Sequence, residues 1–198
     1  MKRFKRMIVI VTDSVGAGGA PDAERFGDEG ADTLKHIDEA VPGGLKIPNL
    51  RRLGWEKAIH IHPEGVKVVG SYGRMREISN GKDTTSGHWE FMGNPVENPF
   101  PVFYDAFPQE LLDTFTEKTG HGWLGNEVAS GTEIISRLGP EHLKTKKTIV
   151  YTSADSVFQI AAHTDVIPLE ELYRICEVTR KEVCVGPYEV GRVIARPF

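Results

Sequence analysis

A chain of 198 residues with 39% hydrophobic and 26% charged side chains can bury one large core or two small ones, and its composition is that of a globular protein. Its formal net charge of -4 leaves no basic excess to grip a phosphate backbone, which excludes nucleic acid as the main partner but not a local basic pocket for a small anion. No apolar run is long enough to span a bilayer, so no membrane role is expected. The start MKRFKRMIVIVTDSV lacks the cleavage site of a secretory leader, and two cysteines, Cys176 and Cys184, are too few for a disulfide framework. A reducing, cytoplasmic setting is expected.

In chain order, residues 7–12 (MIVIVT) are a continuous β-branched apolar run and predict a strand buried on both faces of a parallel sheet, with Asp13 delivered to its C-terminal edge. A glycine-rich loop follows. Asp32 then heads a predicted helix with Leu34, Ile37 and Val41 on one face, and residues 47–55 predict a second, short one. Residues 66–79 have β character. The glycine and proline density of residues 93–108 marks a crossing between two parts, 1–100 and 101–198. Beyond it the pattern predicts helices at 108–120, 131–139 and 168–183, a strand at 148–153 and an extended end at 188–198. Alternating strands and helices predict an α/β fold for both parts.

Three features could carry chemistry. Asp13 sits where α/β folds keep their sites, although an aspartate there is also a common turn former. The loop after it fails the dinucleotide fingerprint, since Gly16 and Gly18 are followed by Pro21 in the place of a third glycine, and no phosphate-loop motif occurs. His60 and His62 alternate along a predicted strand, which would suit a metal or merely form one exposed face.

The third feature is NGKDTTSGHWEFMG, residues 80–93. Its plain reading is a helix through SGHWEFM capped by Thr84 or Thr85, with Asp83 favouring the same end by charge. Its functional reading makes one threonine a nucleophile at a helix N-terminus, where free backbone N–H groups could receive a phosphoryl group. A threonine hydroxyl needs a base or a metal to react at neutral pH, and Asp13 is a hard oxygen ligand of the kind that Mg²⁺ or Mn²⁺ prefers.

Five ordered motifs, VTDSVGAGGAPDA, GKDTTSGHWE, ASGTEII, VYTSADSVFQIAAH and VGRVIARPF, make the chain resemble the bacterial phosphopentomutase family of the alkaline phosphatase superfamily. The resemblance implies a partial alkaline-phosphatase-like core, residues 1–100, with most of an inserted smaller α/β cap at 101–198. It implies interconversion of ribose 1-phosphate and ribose 5-phosphate, and of the deoxyribose forms, with pentose phosphate as substrate, two Mn²⁺ ions, and a sugar 1,5- or 1,6-bisphosphate activator. Thr85 matches the phosphothreonine that also faces the metals, and Asp13 matches a metal ligand. Ser153, Asp155, Val157, Arg192 and Ile194 match cap residues that face the sugar phosphate. Taken alone, residues 154–158 would read as a strand-to-helix turn and Arg192 as a surface charge. Family members continue past ARPF, and the remaining metal ligands are expected in that C-terminal half of the core. Two other readings stay open: a related phosphatase or mutase of the same superfamily, and a non-catalytic sugar-phosphate-binding piece.

Overall fold

A computed structural model describes residues 4–12, 15–153 and 155–198. The chain divides into two compact units, Met1–Glu77 and Ile78–Phe198.

The first unit is helical and irregular. It holds a 3₁₀ turn at Ala23–Phe26 and the helices α1 (Thr33–Ala40), α2 (Pro48–Leu53) and α3 (Trp55–Ala58). As predicted, Asp32 caps α1, accepting from the Lys35 N–H at 3.3 Å. The predicted strands at 7–12 and 66–79 do not form among the described residues. Met7 and Ile10 are 85% and 82% exposed, where burial on both faces was expected. A strand of that kind exists only between two neighbours, and none of the four strands of the sheet pairs with it.

With few buried apolar side chains, this unit is organised by a buried ionic cluster. Arg51, 1% exposed, donates to Glu56 Oε2 at 3.1 Å and to the His62 and Leu45 carbonyls at 2.6 and 3.3 Å. Asp38, 4.0 Å from the same guanidinium, accepts from the His62 and Leu45 N–H groups, each at 2.7 Å. Those backbone donors, His62 first, hold its carboxyl at about 2, against burial, which acts the other way.

The second unit is α/β. Its helices are α4 (Thr84–Phe91), α5 (Gln109–Thr119), α6 (Gly131–Thr145) and α7 (Leu169–Val178), and its strands are β1 (Trp123–Val128), β2 (Thr148–Thr152), β3 (Val157–Ala162) and β4 (Arg192–Pro197). The strands form one mixed sheet in the order β1-β2-β3-β4, with only the central β2–β3 pair antiparallel. One face packs Val150, Phe158 and Ile160 against Leu111, Leu112 and Phe115 of α5 and Leu172 and Ile175 of α7. The other places Ile149, Tyr151 and Ala161 under Ile134 of α6. The two-residue period of a strand thus divides β2 and β3 between two cores.

Two elements depart from the sequence pattern for visible reasons. The β1 strand carries Gly125 at φ 88° and Asn126 at φ 65°, turn-like residues inside a strand, and its register with β2 slips between Gly125 and Val128. A Cβ on Gly125 would lie 2.8 Å from the Val150 carbonyl oxygen. The α6 helix continues through Pro140, past its predicted end at Gly139. The buried His142 holds the extra turn: its Nε2 accepts from the His163 N–H at 2.9 Å, so its Nδ1 carries the proton and donates to the Lys147 carbonyl at 2.6 Å. The two cysteines are free thiols, pushed up by burial to about 11 at Cys176 and about 12 at Cys184.

Candidate functional site

The 80–93 loop builds α4 on an aspartate. Asp83 Oδ1 accepts from the N–H groups of Thr85 at 3.0 Å and Ser86 at 3.1 Å, and its Oδ2 accepts from the Ser86 hydroxyl at 2.6 Å. The cap is therefore Asp83, not Thr84 or Thr85. Two positions before the cap a side chain has no space, since a Cβ on Gly81 would stand 2.5 Å from Ser86 Oγ. At the other end, Glu90 accepts from the N–H groups of Ile78 at 3.0 Å and Ser79 at 2.8 Å, and bonding to the Ser79 side chain, foremost among these contacts, lowers its carboxyl below the usual range. The helix is thus pinned at both ends.

Thr84 and Thr85 differ in what holds them. The Thr84 N–H donates to Asp155 Oδ1 at 3.1 Å and its hydroxyl to Asp155 Oδ2 at 2.9 Å. The Thr85 hydroxyl makes no hydrogen bond among the described residues, and it lies beside Gly191 just before β4. With Thr84, Thr85 and Ser86 all donating their N–H groups to carboxylates, the N-terminal turn of α4 offers no free N–H to an incoming phosphoryl group. The expectation of such a backbone cradle is corrected: two aspartates satisfy those donors first.

Beyond that turn the sheet gathers the other residues singled out. The parallel pairing sets Val157 beside Arg192 and Gln159 beside Ile194, so these four side chains share one sheet face. Ser153, Val157, Arg192 and Ile194 line one cleft of about 260 Å³, at the N-terminal end of α6. Asp155 does not line it, but it forms an ion pair with Arg192. Sequence reasoning missed Ser130, Gly131, Gln159 and Arg196, which line the same cleft. The signal for Arg196 was its spacing: Arg192, Ile194 and Arg196 alternate along β4, and Arg196 Nε donates to Gln159 Oε1 at 3.1 Å. Two guanidinium groups and several polar groups on one wall suit a phosphate ester with hydroxyls.

Asp13 lies outside the described residues. His60 and His62 do not form a metal pair on a strand. His60 Nε2 accepts from Arg74 at 2.9 Å, so its Nδ1 carries the proton and donates to Asp32 Oδ2 at 2.5 Å, while His62 Nδ1 lies 2.5 Å from Asp38 Oδ2. Among the described residues no three His, Cys, Asp or Glu side chains converge where an ion could sit, and Asp83 is occupied by its capping bonds. The described residues do not by themselves fit a two-metal centre. No described helix is long and apolar enough to cross a membrane.

No protein-family model matches the chain. Comparison with curated proteins finds a phosphopentomutase of Caldanaerobacter subterraneus subsp. tengcongensis, 54% identical over 197 residues. The match takes in 98% of this chain and 49% of that relative, so the chain spans about half the relative's length. The resemblance carried by five separate motifs thus extends along essentially the whole sequence, and the chain is similar throughout to one half of a phosphopentomutase.

Proposed function

We propose that the chain is part of an enzyme that interconverts ribose 1-phosphate and ribose 5-phosphate, and likewise the deoxyribose forms. Residues 1–100 would contribute to an alkaline-phosphatase-like catalytic core and residues 101–198 to an inserted cap. The observation that carries this reading is the 54% identity over 98% of the chain. The arrangement of the second unit supports it, with a threonine hydroxyl at the start of α4 that has no hydrogen-bond partner among the described residues and a cleft lined by two arginines on the same unit.

In this reading Thr85 carries a phosphoryl group. The sugar monophosphate enters with its own phosphate held by Arg192 and Arg196, and Ser153 and Gln159 meet its hydroxyls. The free sugar hydroxyl attacks the phosphorus. A new P–O bond forms to the sugar, the bond to Thr85 Oγ1 breaks, and the hydroxyl proton leaves to a base. The resulting bisphosphate turns over and returns its other phosphoryl group to Thr85. Val157 and Ile194 give the ring an apolar wall that excludes water.

The proposal includes two Mn²⁺ ions and a sugar 1,5- or 1,6-bisphosphate activator. Asp13 and Thr85 are the residues of this chain expected beside the ions. When bound, such ions lower the pKa of an alkoxide and neutralise phosphoryl oxygens. The remaining ligands are assigned to the half of the relative's length that this chain does not span, and a cytoplasmic location belongs to the same reading. The test is ³¹P NMR of the full-length protein with ribose 1-phosphate, Mn²⁺ and a sugar bisphosphate. Appearance of ribose 5-phosphate is expected. Turnover of phosphoglycerate instead, or release of inorganic phosphate alone, would favour another member of the superfamily. Binding without turnover would mark a non-catalytic protein.

A further inference from the structure

We propose that Thr84 and Asp155 form a latch that positions the Thr85 hydroxyl, so that Asp155 serves the reaction as a positioning residue and not as an acceptor for sugar hydroxyls. The inference rests on the reading of Thr85 as phosphoryl carrier and assigns a role to its neighbour.

A carboxylate offers about four acceptor sites on its two oxygens. Asp155 Oδ1 accepts from the Thr84 N–H at 3.1 Å and the Ser156 N–H at 3.0 Å. Its Oδ2 accepts from the Thr84 hydroxyl at 2.9 Å and from Arg192. All four sites are taken, and a sugar hydroxyl could be accepted only by displacing one of these donors. Arg192 in turn is fixed by the same bond at the edge of the cleft it lines.

The bonds also divide the labour at the start of α4. Asp83, from within the loop, holds the N–H groups of Thr85 and Ser86. It does not reach Thr84, the first residue of the helix, which is exposed and would fray. Asp155, 71 residues away in sequence, holds it by both backbone and side chain. Two carboxylates therefore fix three successive residues and leave one hydroxyl among them, that of Thr85, without a partner among the described residues. A nucleophile held in one geometry reacts faster than one that fluctuates, because the ordering cost is met before the substrate arrives. The latch also ties the nucleophile's helix to the arginine expected on the substrate phosphate.

The test uses the full-length protein, three single variants and one double variant. Thr84→Ala and Asp155→Asn are each expected to lower kcat about tenfold or more, the scale of a charge-assisted hydrogen bond, while KM for ribose 1-phosphate changes by less than about threefold. Thr84→Ser, which keeps the hydroxyl, should restore most of the loss, and Thr84→Ala with Asp155→Asn should be no worse than the poorer single variant. Hydrogen exchange of the peptide covering residues 81–91 should quicken in Asp155→Asn. A raised KM in Asp155→Asn with near-normal turnover in Thr84→Ala would overturn the latch and return Asp155 to the sugar. Thr84→Ala changes an exposed side chain, so it decides the matter even where Asp155→Asn fails to fold. If the wild-type protein carries no phosphate on Thr85, the reading of Thr85 fails, and the exchange result still decides whether the latch exists.

Discussion

Gly191 stands against Thr85: a Cβ built on Gly191 would lie 3.2 Å from Thr85 Oγ1 and 3.2 Å from the Ser156 carbonyl oxygen. The chain approaches the proposed nucleophile so closely at this point that any side chain must push either the hydroxyl or the backbone before β3. Gly191→Ala is therefore expected to cost about 1–3 kcal/mol of stability through overpacking and to lower turnover by more than that loss explains. Steady-state kinetics beside thermal melting checks this. Unchanged turnover would show that the hydroxyl has room to move aside.

Acid should weaken the unit Met1–Glu77 through Asp38. Asp38 is held at about 2, below its ordinary value of 3.8, by the His62 and Leu45 N–H groups. Because the folded value is depressed, the carboxylate contributes its full stabilisation above about 3.8, and that contribution is lost as pH falls from there to about 2. Trp55 fluorescence in a Trp89→Phe, Trp123→Phe background should show wild-type stability falling through this window, and Asp38→Asn should flatten the dependence. An equally steep fall in Asp38→Asn would place the acid sensitivity elsewhere.

The legible parts of the sequence were those whose local signals agree with what surrounds them. Asp32 followed by Leu34 predicted α1 and its cap, and TIVYT predicted β2, which is buried along its whole length. The run MIVIVT has the same signal and no strand, because a strand depends on partners that its own residues do not supply. The β1 strand was hidden by Gly125 and Asn126, and β3 by the turn-like ADS ahead of it. At the site, Ser153, Val157, Arg192 and Ile194 came from a resemblance, and the pairing of β3 with β4 explains their convergence. Arg196 and Gln159 share that face but lay outside the motif residues carried over. The bonds from Asp155 to Thr84 span 71 residues, and no local pattern encodes such a contact.

The aromatic stack in the second unit should dominate its stability. Phe158 is fully buried, stacked on Phe107 at 4.5 Å between ring centroids and 5.6 Å from Phe115. Phe158→Ala is expected to cost about 3–5 kcal/mol, read from urea unfolding. A loss below about 1 kcal/mol would mean that the core closes over the gap.

The 198-residue chain by itself is expected to have no mutase activity and to bind Mn²⁺ weakly. A divalent ion takes about six or more oxygen ligands, and Asp13 with the Thr85 hydroxyl would leave it mostly hydrated. Its exposed residues 7–11 should also favour self-association. Calorimetry with Mn²⁺, light scattering and a ribose 1-phosphate assay on the verified 198-residue protein check these outcomes. Robust turnover would show that the metal centre is built from other residues.

Phosphopeptide mapping of the full-length protein tests whether Thr85 carries the phosphoryl group. After incubation with a sugar bisphosphate and Mn²⁺, acid quench and digestion, the added phosphate is expected on Thr85 in the wild type. In Thr85→Ala both the phosphate and the turnover should vanish, while Thr84→Ala should still be phosphorylated and retain measurable, reduced turnover. Phosphate mapped to Thr84, or turnover surviving in Thr85→Ala, would show that another group carries the phosphoryl.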